Sequence, residues 1–235
     1  MIIRSQIPAQ DRLIVPLDVP EVDQAKAMVE MLGDHVVFYK IGLELFMSRD
    51  FFALLDWLRE RDKKVFVDLK FFDIPATVAR AVSRLNGSGV TFTTVHGNDA
   101  MMAAAAEAAD DVSVLAVTVL TSIDRGDLDD LGFSCNVEDL VMSRARRAVE
   151  HGCAGVVASG QEAKPLRDAL GDKLLIISPG IRPIDNRSDD QKRVVTVEQA
   201  FSYGADYIVV GRPIRDAANP AQSAAEIQQQ ILAAV

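Results

Sequence analysis

The stretch that decides the fold is Val67-Asp68-Leu69-Lys70-Phe71-Phe72-Asp73-Ile74-Pro75. An apolar, β-branched run leads into it and predicts a buried strand, with Asp73 just past the strand end, where a loop to a helix would begin. Because side chains alternate faces along a strand, Asp68 and Lys70 should point the same way. Charges on one inward face are costly to bury unless they are paired or take part in chemistry. This stretch therefore predicts a strand end and a functional site together.

Similar apolar runs recur along the 235 residues, with helical patterns between them. The eight candidate strands are residues 13–17, 36–41, 65–69, 92–95, 114–119, 155–158, 174–177 and 207–210. Helix-forming runs include 23–29, 99–106 and 139–151, the last with Gly152 as its stop. Eight alternating units predict parallel pairing in an α/β, single-domain (β/α)8 TIM barrel, for which about 250 residues is typical. A doubly wound sheet is the alternative, but it usually has a glycine-rich turn after the first strand, which this chain lacks.

The composition is that of an ordinary globular protein, with 49% hydrophobic and 25% charged residues. No Pro- or Ser-rich linker divides it, so we expect one domain over residues 1–235, with 1–10 as a candidate disordered segment. The net charge of −9 and the absence of a basic patch argue against nucleic acid as a partner. Cys135 and Cys153 lack metal-ligand spacing, and no signal peptide or membrane-length apolar run is evident. We therefore expect a cytoplasmic protein that does not contact membranes.

Polar residues follow the predicted strands at the end where such barrels place their active sites. The first three strand ends carry Asp18, Lys40, Asp68 and Lys70, with Asp73 just beyond them. Taken singly, Asp18 or Asp73 could cap the next helix, and Lys40 could extend to the rim. These interpretations do not explain why Lys40, Asp68 and Lys70 share one barrel mouth.

The last two strand ends suggest a phosphate site. Loops after strands seven and eight of such barrels often hold a phosphate. Gly180 and Gly211 would let backbone N–H groups approach closely, and Arg212 supplies a fork of donors that matches phosphate oxygens. An acidic protein that binds an anion needs a local cluster of this kind, because its overall field is repulsive.

The polar stretch 183–193 follows the seventh predicted strand. It is either a solvated loop or a lid beside the phosphate, with Gln191 or Arg182 reaching the ligand on closure.

Together these motifs resemble the orotidine 5′-monophosphate decarboxylase family, bacterial type. The motifs are Leu17-Asp18, Tyr39-Lys40-Ile41-Gly42, the run from Asp68 through Pro75 to Thr77, Pro179-Gly180-Ile181-Arg182-Pro183 with Asp190-Gln191-Lys192-Arg193, and Val209-Val210-Gly211-Arg212-Pro213-Ile214. They span nearly the whole chain after its first ten residues.

The resemblance implies the conversion of orotidine 5′-monophosphate to uridine 5′-monophosphate, the last step of de novo pyrimidine synthesis, without a cofactor or metal. Lys70 would donate a proton to C6 of the pyrimidine, flanked by Asp68 and Asp73, and Lys40 would extend the alternating charges. The implied substrate-binding residues are Asp18, Lys40, Asp68, Ile74, Thr77, Thr121, Arg182, Gln191, Gly211 and Arg212. The resemblance also implies a homodimer in which Asp73, Ile74 and Thr77 act across the interface.

The chemistry supports the same assignment. Loss of CO₂ from an sp² carbon without an adjacent electron sink leaves a carbanion, and most decarboxylases borrow a cofactor as the sink. The sequence shows no obvious cofactor motif. A preorganised ammonium group can instead stabilise the developing charge and then deliver the proton, and two nearby carboxylates favour its charged form.

Three alternatives remain open. Magnesium-dependent 3-keto-L-gulonate 6-phosphate decarboxylases and hexulose-phosphate synthases share the Asp-x-Lys-x-x-Asp pattern but have Glu in place of Lys40 and lack Ile74-Pro75. A Schiff-base aldolase would need Lys70 as a neutral amine, which the acids disfavour. A non-catalytic phosphate binder on the same scaffold would gain little from nearby carboxylates.

Overall fold

Eight parallel strands close into a barrel in chain order, with helices between them, in a computed structural model that describes residues 2–182 and 194–235. The strands are β1 Leu13–Pro16, β2 Phe38–Ile41, β3 Lys64–Phe71, β4 Val90–His96, β5 Ser113–Val117, β6 Gly155–Val157, β7 Leu175–Ser178 and β8 Tyr207–Val209. The predicted (β/α)8 barrel is confirmed, and each strand bound lies within two residues of its prediction. The domain bounds of 1–235 and the disorder of residues 1–10 stay predictions.

The helices lie between consecutive strands and after the last one. They are α1 Val22–Leu32, α2 Leu43–Phe46, α3 Phe51–Arg59, α4 Pro75–Ser83, α5 Asp99–Ala108, α6 Arg125–Asp130, α7 Val137–Glu150, α8 Gly160–Leu170, α9 Val197–Ser202, α10 Arg212–Arg215 and α11 Pro220–Ala234. Short 3₁₀ turns occupy Arg4–Gln6, Ala9–Arg12, Gly33–His35 and Gly171–Lys173. None of the helices in the described ranges has the length and apolarity needed to cross a membrane.

The strands are buried on both faces, which explains their nearly continuous apolar sequences. Inside the barrel, the rings of Phe38 and Phe92 stack at 5.4 Å, and Tyr207 meets both edge-on at 5.9 and 5.2 Å. A larger cluster, including Val15 and Ile176, fills the layer between the barrel and the helices. Both layers hold the strand ends in fixed positions.

The end of β3 departs from regular strand geometry. Lys70 has a φ of +49°, and the pairing of β3 with β4 shifts between Val67 and Phe71. The Lys70 N–H donates to the hydroxyl of Thr94 at 2.9 Å instead of to a strand carbonyl. Asp68 and Lys70 do come together as predicted, but through a left-handed residue at an irregularity and not through unbroken alternation.

Candidate active site

A cavity of about 450 Å³ opens at the C-terminal ends of the strands. Nine residues singled out in the sequence line it: Asp18, Lys40, Asp68, Lys70, Thr121, Gly180, Arg182, Gly211 and Arg212. Its walls also contain apolar side chains from β3, β5, β6 and β8, among them Phe66, Val117 and Val209. An apolar wall with a few convergent charges is the usual make-up of a site for a small molecule.

Alternating charges run across one side of the cavity. The Lys70 ammonium nitrogen lies 2.8 Å from Oδ2 of Asp68, and the Lys40 ammonium nitrogen lies 3.5 Å from the same oxygen. Lys40 is also 3.3 Å from Oδ1 of Asp18. The order Asp18, Lys40, Asp68, Lys70 thus places each ammonium next to at least one carboxylate, and Lys70 is at the open end of the row.

Asp68 is buried in the centre of this row and stays ionised. Burial would by itself raise its pKa, but the charges of Lys40 and Lys70 and hydrogen bonds from Lys70 and Thr94 outweigh that effect. The pKa of Asp68 is therefore lowered from its ordinary value. An ionised Asp68 attracts both neighbouring ammonium groups and so helps to hold them in place.

Thr94 supports the array from β4, and the sequence analysis missed it. Its hydroxyl donates to Oδ1 of Asp68 at 2.9 Å and accepts the backbone N–H of Lys70. Thr94 is fully buried within a strand and not at a strand end. A buried hydroxyl needs a partner, but β4 contains three threonines, and nothing local distinguishes Thr94 from Thr91 and Thr93.

The opposite side of the cavity is built by the ends of β7 and β8. Gly180 has a φ of +81°, which favours glycine, and Arg182 is buried next to it. A Cβ added to Gly211 would lie 3.0 Å from Cγ of Pro16, so glycine allows the close approach of β8 to β1. Arg212 begins α10 directly after this glycine.

The cavity is locally basic in an acidic protein. Its described lining has five basic side chains, from Lys40, Lys70, Arg182, Arg212 and Arg215, against the two carboxylates Asp18 and Asp68. The whole chain has a net charge of −9. The local cluster that an anionic ligand requires is therefore present.

Three predicted residues lie outside the cavity of their own chain. Asp73 and Ile74 are exposed in the loop between β3 and α4, and Thr77 lies in the first turn of α4. The Asp73 carboxylate accepts the N–H of Ile74 at 2.6 Å. The N-cap residues of α1 and α4 are Glu21 and Ile74, so neither Asp18 nor Asp73 has the N-cap position considered as an alternative.

Gln191 and the stretch 183–193 lie outside the described residues, so their predicted lid and phosphate contacts stay predictions. Within the described part of the chain, no group of three or more His, Cys, Asp or Glu is placed to hold a metal ion.

Arg215 is a second cavity residue that the sequence analysis missed. Its Nη1 donates to the backbone carbonyl of Asp18 at 3.2 Å, and its Nε and Nη2 bind the carboxylate of Asp216 at 2.7 and 3.2 Å. The sequence did indicate that Arg215 would line the cavity with Arg212, because residues three positions apart on a helix lie on the same face.

Comparison with known proteins identifies relatives over almost the whole chain. Residues 11–227 match the family model described as orotidine 5′-phosphate decarboxylase / HUMPS family. The orotidine 5′-phosphate decarboxylase of Methylococcus capsulatus is 64% identical over 226 residues, which cover 96% of this chain and 93% of that protein. The one from Xanthomonas oryzae pv. oryzae is 56% identical over 229 residues, which cover 97% and 94%. Among solved structures, orotidine 5′-phosphate decarboxylase from Lactobacillus acidophilus superposes with a TM-score of 0.83 at 33% identity, covering 94% of this chain and 99% of that one.

Proposed function

Because this chain belongs to the orotidine 5′-phosphate decarboxylase / HUMPS family, we propose that it converts orotidine 5′-monophosphate to uridine 5′-monophosphate and CO₂ without a cofactor. As a member of this family, the chain is an enzyme, a carboxy-lyase. The reaction is the last step of de novo pyrimidine synthesis. The observation that carries the proposal is the row Asp18, Lys40, Asp68, Lys70, with the Lys70 ammonium 2.8 Å from Asp68.

Lys70 is the proton donor in this proposal. The bond between C6 and the carboxylate carbon breaks, CO₂ leaves, and the electron pair stays on C6 in the ring plane. The Lys70 ammonium stabilises that charge and then transfers one proton to C6, which leaves a neutral amine that solvent reprotonates. The Lys70 side chain is 32% exposed, which allows contact with both substrate and solvent.

Asp68 and Lys40 prepare Lys70 for this role. Asp68 holds the Lys70 ammonium in place through an ion pair at 2.8 Å. Lys40 lies near the same oxygen of Asp68 and, together with Asp18, would contact the ribose. The array is preorganised, so little reorganisation is needed when charge develops at C6.

The phosphate lies at the other side of the cavity, near Arg182, Gly211 and Arg212, with Gln191 joining from the stretch 183–193. The locally basic lining supports this arrangement, and Thr121 would contact the base edge. The phosphate is far from the bond that breaks. Its binding energy can nevertheless support catalysis by holding the ring at the charge row.

A homodimer completes the site in this proposal, with Asp73, Ile74 and Thr77 reaching the partner's cavity. Their location outside their own cavity supports it. So does the exposure of Phe72 and Ile74, each 66% accessible, since exposed apolar side chains on a loop are common at interfaces. The cytoplasmic location expected from the sequence stays a prediction.

The experiment that tests the proposed function is the loss of orotidine 5′-monophosphate absorbance with the purified protein, run with EDTA and again with magnesium. We expect equal turnover in both. Activity only with magnesium would assign the chain to the magnesium-dependent sister enzymes. Tight binding of uridine 5′-monophosphate without turnover in either condition would make it a binding protein.

A further inference from the structure

Arg215 joins the two ends of the cavity. It lies at the end of α10, one helical turn after Arg212, and its guanidinium reaches the loop after β1 that carries Asp18. We propose that Arg215 is a positioning residue that holds Asp18, and through it Lys40, in register with Asp68 and Lys70. The proposal rests on the decarboxylase function above and adds to it a residue outside the predicted set.

The first argument is the geometry of the guanidinium. Nε and Nη2 bind the two carboxylate oxygens of Asp216, and Nη1 donates to the carbonyl oxygen of Asp18. A two-point pair with a carboxylate fixes the plane of a guanidinium, so Asp216 aims the third nitrogen at Asp18. A lysine cannot reproduce this, because its ammonium is a single point charge on a flexible stem.

The second argument concerns how the position of the exposed Asp18 is restrained. Its side chain is 51% exposed and follows β1 by two residues, yet its Oδ1 has to remain 3.3 Å from the Lys40 nitrogen. The preceding residue, Leu17, is tied to β2 by its N–H, which donates to the Lys40 carbonyl at 2.8 Å. The Arg215 bond to the Asp18 carbonyl fixes the other side of the same residue. Together they restrain the backbone from which the Asp18 carboxylate extends.

The third argument is the route by which a shift would spread. Lys40 lies between the carboxylates of Asp18 and Asp68, at 3.3 and 3.5 Å. If Asp18 moves away, Lys40 loses one of its two carboxylate partners and is free to move closer to Asp68. Lys40 then competes with Lys70 for the same carboxylate oxygen, and Lys70 is held less firmly. Misplacement of reacting groups by about 1 Å can cost on the order of 100-fold in rate.

The competing assignment is that Arg215 is a second phosphate ligand, since it lines the cavity close to Arg212. The two assignments differ in which substrates they affect. A phosphate ligand acts only on substrates that carry a phosphate, whereas a residue that positions Asp18 acts on the phosphate-free nucleoside as well.

The test compares orotidine 5′-monophosphate with orotidine, the latter at high enzyme concentration, for the wild type and three variants. We expect Arg215→Gln to lower kcat/KM by about tenfold for both substrates, since a charged donor has been removed from a carbonyl. Arg212→Gln should affect only the phosphorylated substrate. Arg147→Gln, which removes an exposed guanidinium paired with Asp99 outside the cavity, is the matched control and should match the wild type.

Two further variants test the route through Asp18. Arg215→Lys keeps the charge but not the fork and should remain within about threefold of Arg215→Gln. In an Asp18→Ala background, Arg215→Gln should add less than about twofold, because residues that act through one another are not additive. If Arg215→Gln does not fold, Asp216→Asn, which removes the group that aims the guanidinium, should show a smaller loss that is equal for both substrates.

The outcomes separate this proposal from the proposed function. A loss confined to orotidine 5′-monophosphate, full additivity with Asp18→Ala, or wild-type activity of Arg215→Lys would each overturn the positioning role while the decarboxylase function stands. Absence of turnover by the wild type on both substrates would overturn the function and the positioning role with it.

Discussion

At the scale of single residues, Asp68 is the centre of the candidate site. One buried carboxylate meets two ammonium groups and a buried hydroxyl, so its charge is compensated on every side that the structure describes. An isolated buried carboxylate would be strongly unfavourable, and a buried ion pair is retained mainly where geometry or function requires it. Removing one partner would therefore leave a buried charge without compensation.

Replacing Lys70 tests the proton donor directly. Lys70→Ala should lower kcat by about 10⁴-fold or more, because it removes both the acid and the stabilising charge. Binding of uridine 5′-monophosphate, measured by calorimetry, should change little, since the phosphate contacts remain. Lys164→Ala on α8, which breaks an exposed pair with Asp168, is the matched control. Turnover of Lys70→Ala within about tenfold of the wild type would remove Lys70 from the donor role.

The lowered pKa of Asp68 predicts a pH-dependent contribution to stability. The folded protein binds this proton less readily than the unfolded chain, whose carboxyl pKa is about 3.9, so stability rises with pH between the two values. The contribution is complete above the unfolded value and is lost as the pH falls through the folded one. The difference in free energy of unfolding between wild type and Asp68→Asn, from urea titrations, should shrink as the pH is lowered from 7 toward 3. A difference that does not change with pH would contradict this.

At the scale of elements, β3 shows how the end of a strand directs a charged side chain into the cavity. Residues 65–69 of the strand are buried, and then Lys70 takes a left-handed conformation that costs a non-glycine residue roughly 1–2 kcal/mol. The bond from the Lys70 N–H to Thr94 on β4 offsets part of that cost. Strain of this kind at the end of a strand turns the side chain toward the cavity mouth while the strand remains in the barrel.

The opposite end of the barrel is held by Asp206, which is fully buried. Its carboxylate binds Arg4 of the N-terminal segment and Arg167 of α8, each at 2.7 Å, and accepts the N–H of Ile176 at 2.8 Å. It therefore joins three elements next to β8.

Asp206→Ala should lower the free energy of unfolding by about 3–5 kcal/mol, because it leaves the partly buried guanidinium groups of Arg4 and Arg167 and the buried N–H of Ile176 without their partner. The KM of the remaining folded protein should not change, since Asp206 is not part of the cavity lining. Asp168→Ala, which loses only an exposed pair with Lys164, should cost less than about 1 kcal/mol. Denaturant unfolding gives both values. Equal losses for the two variants would show that the Asp206 cluster contributes no more to stability than an exposed ion pair.

At the scale of the whole molecule, an acidic protein surrounds a locally basic cavity, and Asp73 is not part of the lining of its own chain's cavity. The charge distribution repels anions from most of the surface and concentrates attraction at one mouth. The position of Asp73 makes a single chain incomplete under the proposed function, because one of the two flanking carboxylates has to come from a second copy.

Mixing two inactive variants tests the shared site. Lys70→Ala and Asp73→Ala should each be inactive alone. After dissociation and reassociation, half of the dimers would be mixed, and each mixed dimer would have one site with both native residues, so activity should return to about a quarter of wild type. Reassociated Lys70→Ala alone is the control. No recovery, with mixed dimers verified by mass, would place Asp73 outside the partner's site.

The sequence by itself determined the barrel and most of the charged residues that line the cavity. Strand periodicity, helix patterns and polar strand ends are local signals, and all parallel strand ends of a barrel meet at one mouth. That rule is enough to place Asp18, Lys40, Asp68 and Arg212 in one site without coordinates, because closure of the barrel leaves them no other arrangement. The motif around Asp68 then indicated the family, which the relatives confirm.

Only the tertiary structure decided how these residues are held. Thr94 contacts the backbone of a residue 24 positions away, and Arg215 contacts the carbonyl of a residue 197 positions away. The left-handed Lys70 likewise depends on the register between β3 and β4. Such contacts depend on distances of tenths of an ångström between elements, which follow from the packing of the whole core. No local pattern encodes them, because each partner taken alone has an ordinary residue type at an ordinary position.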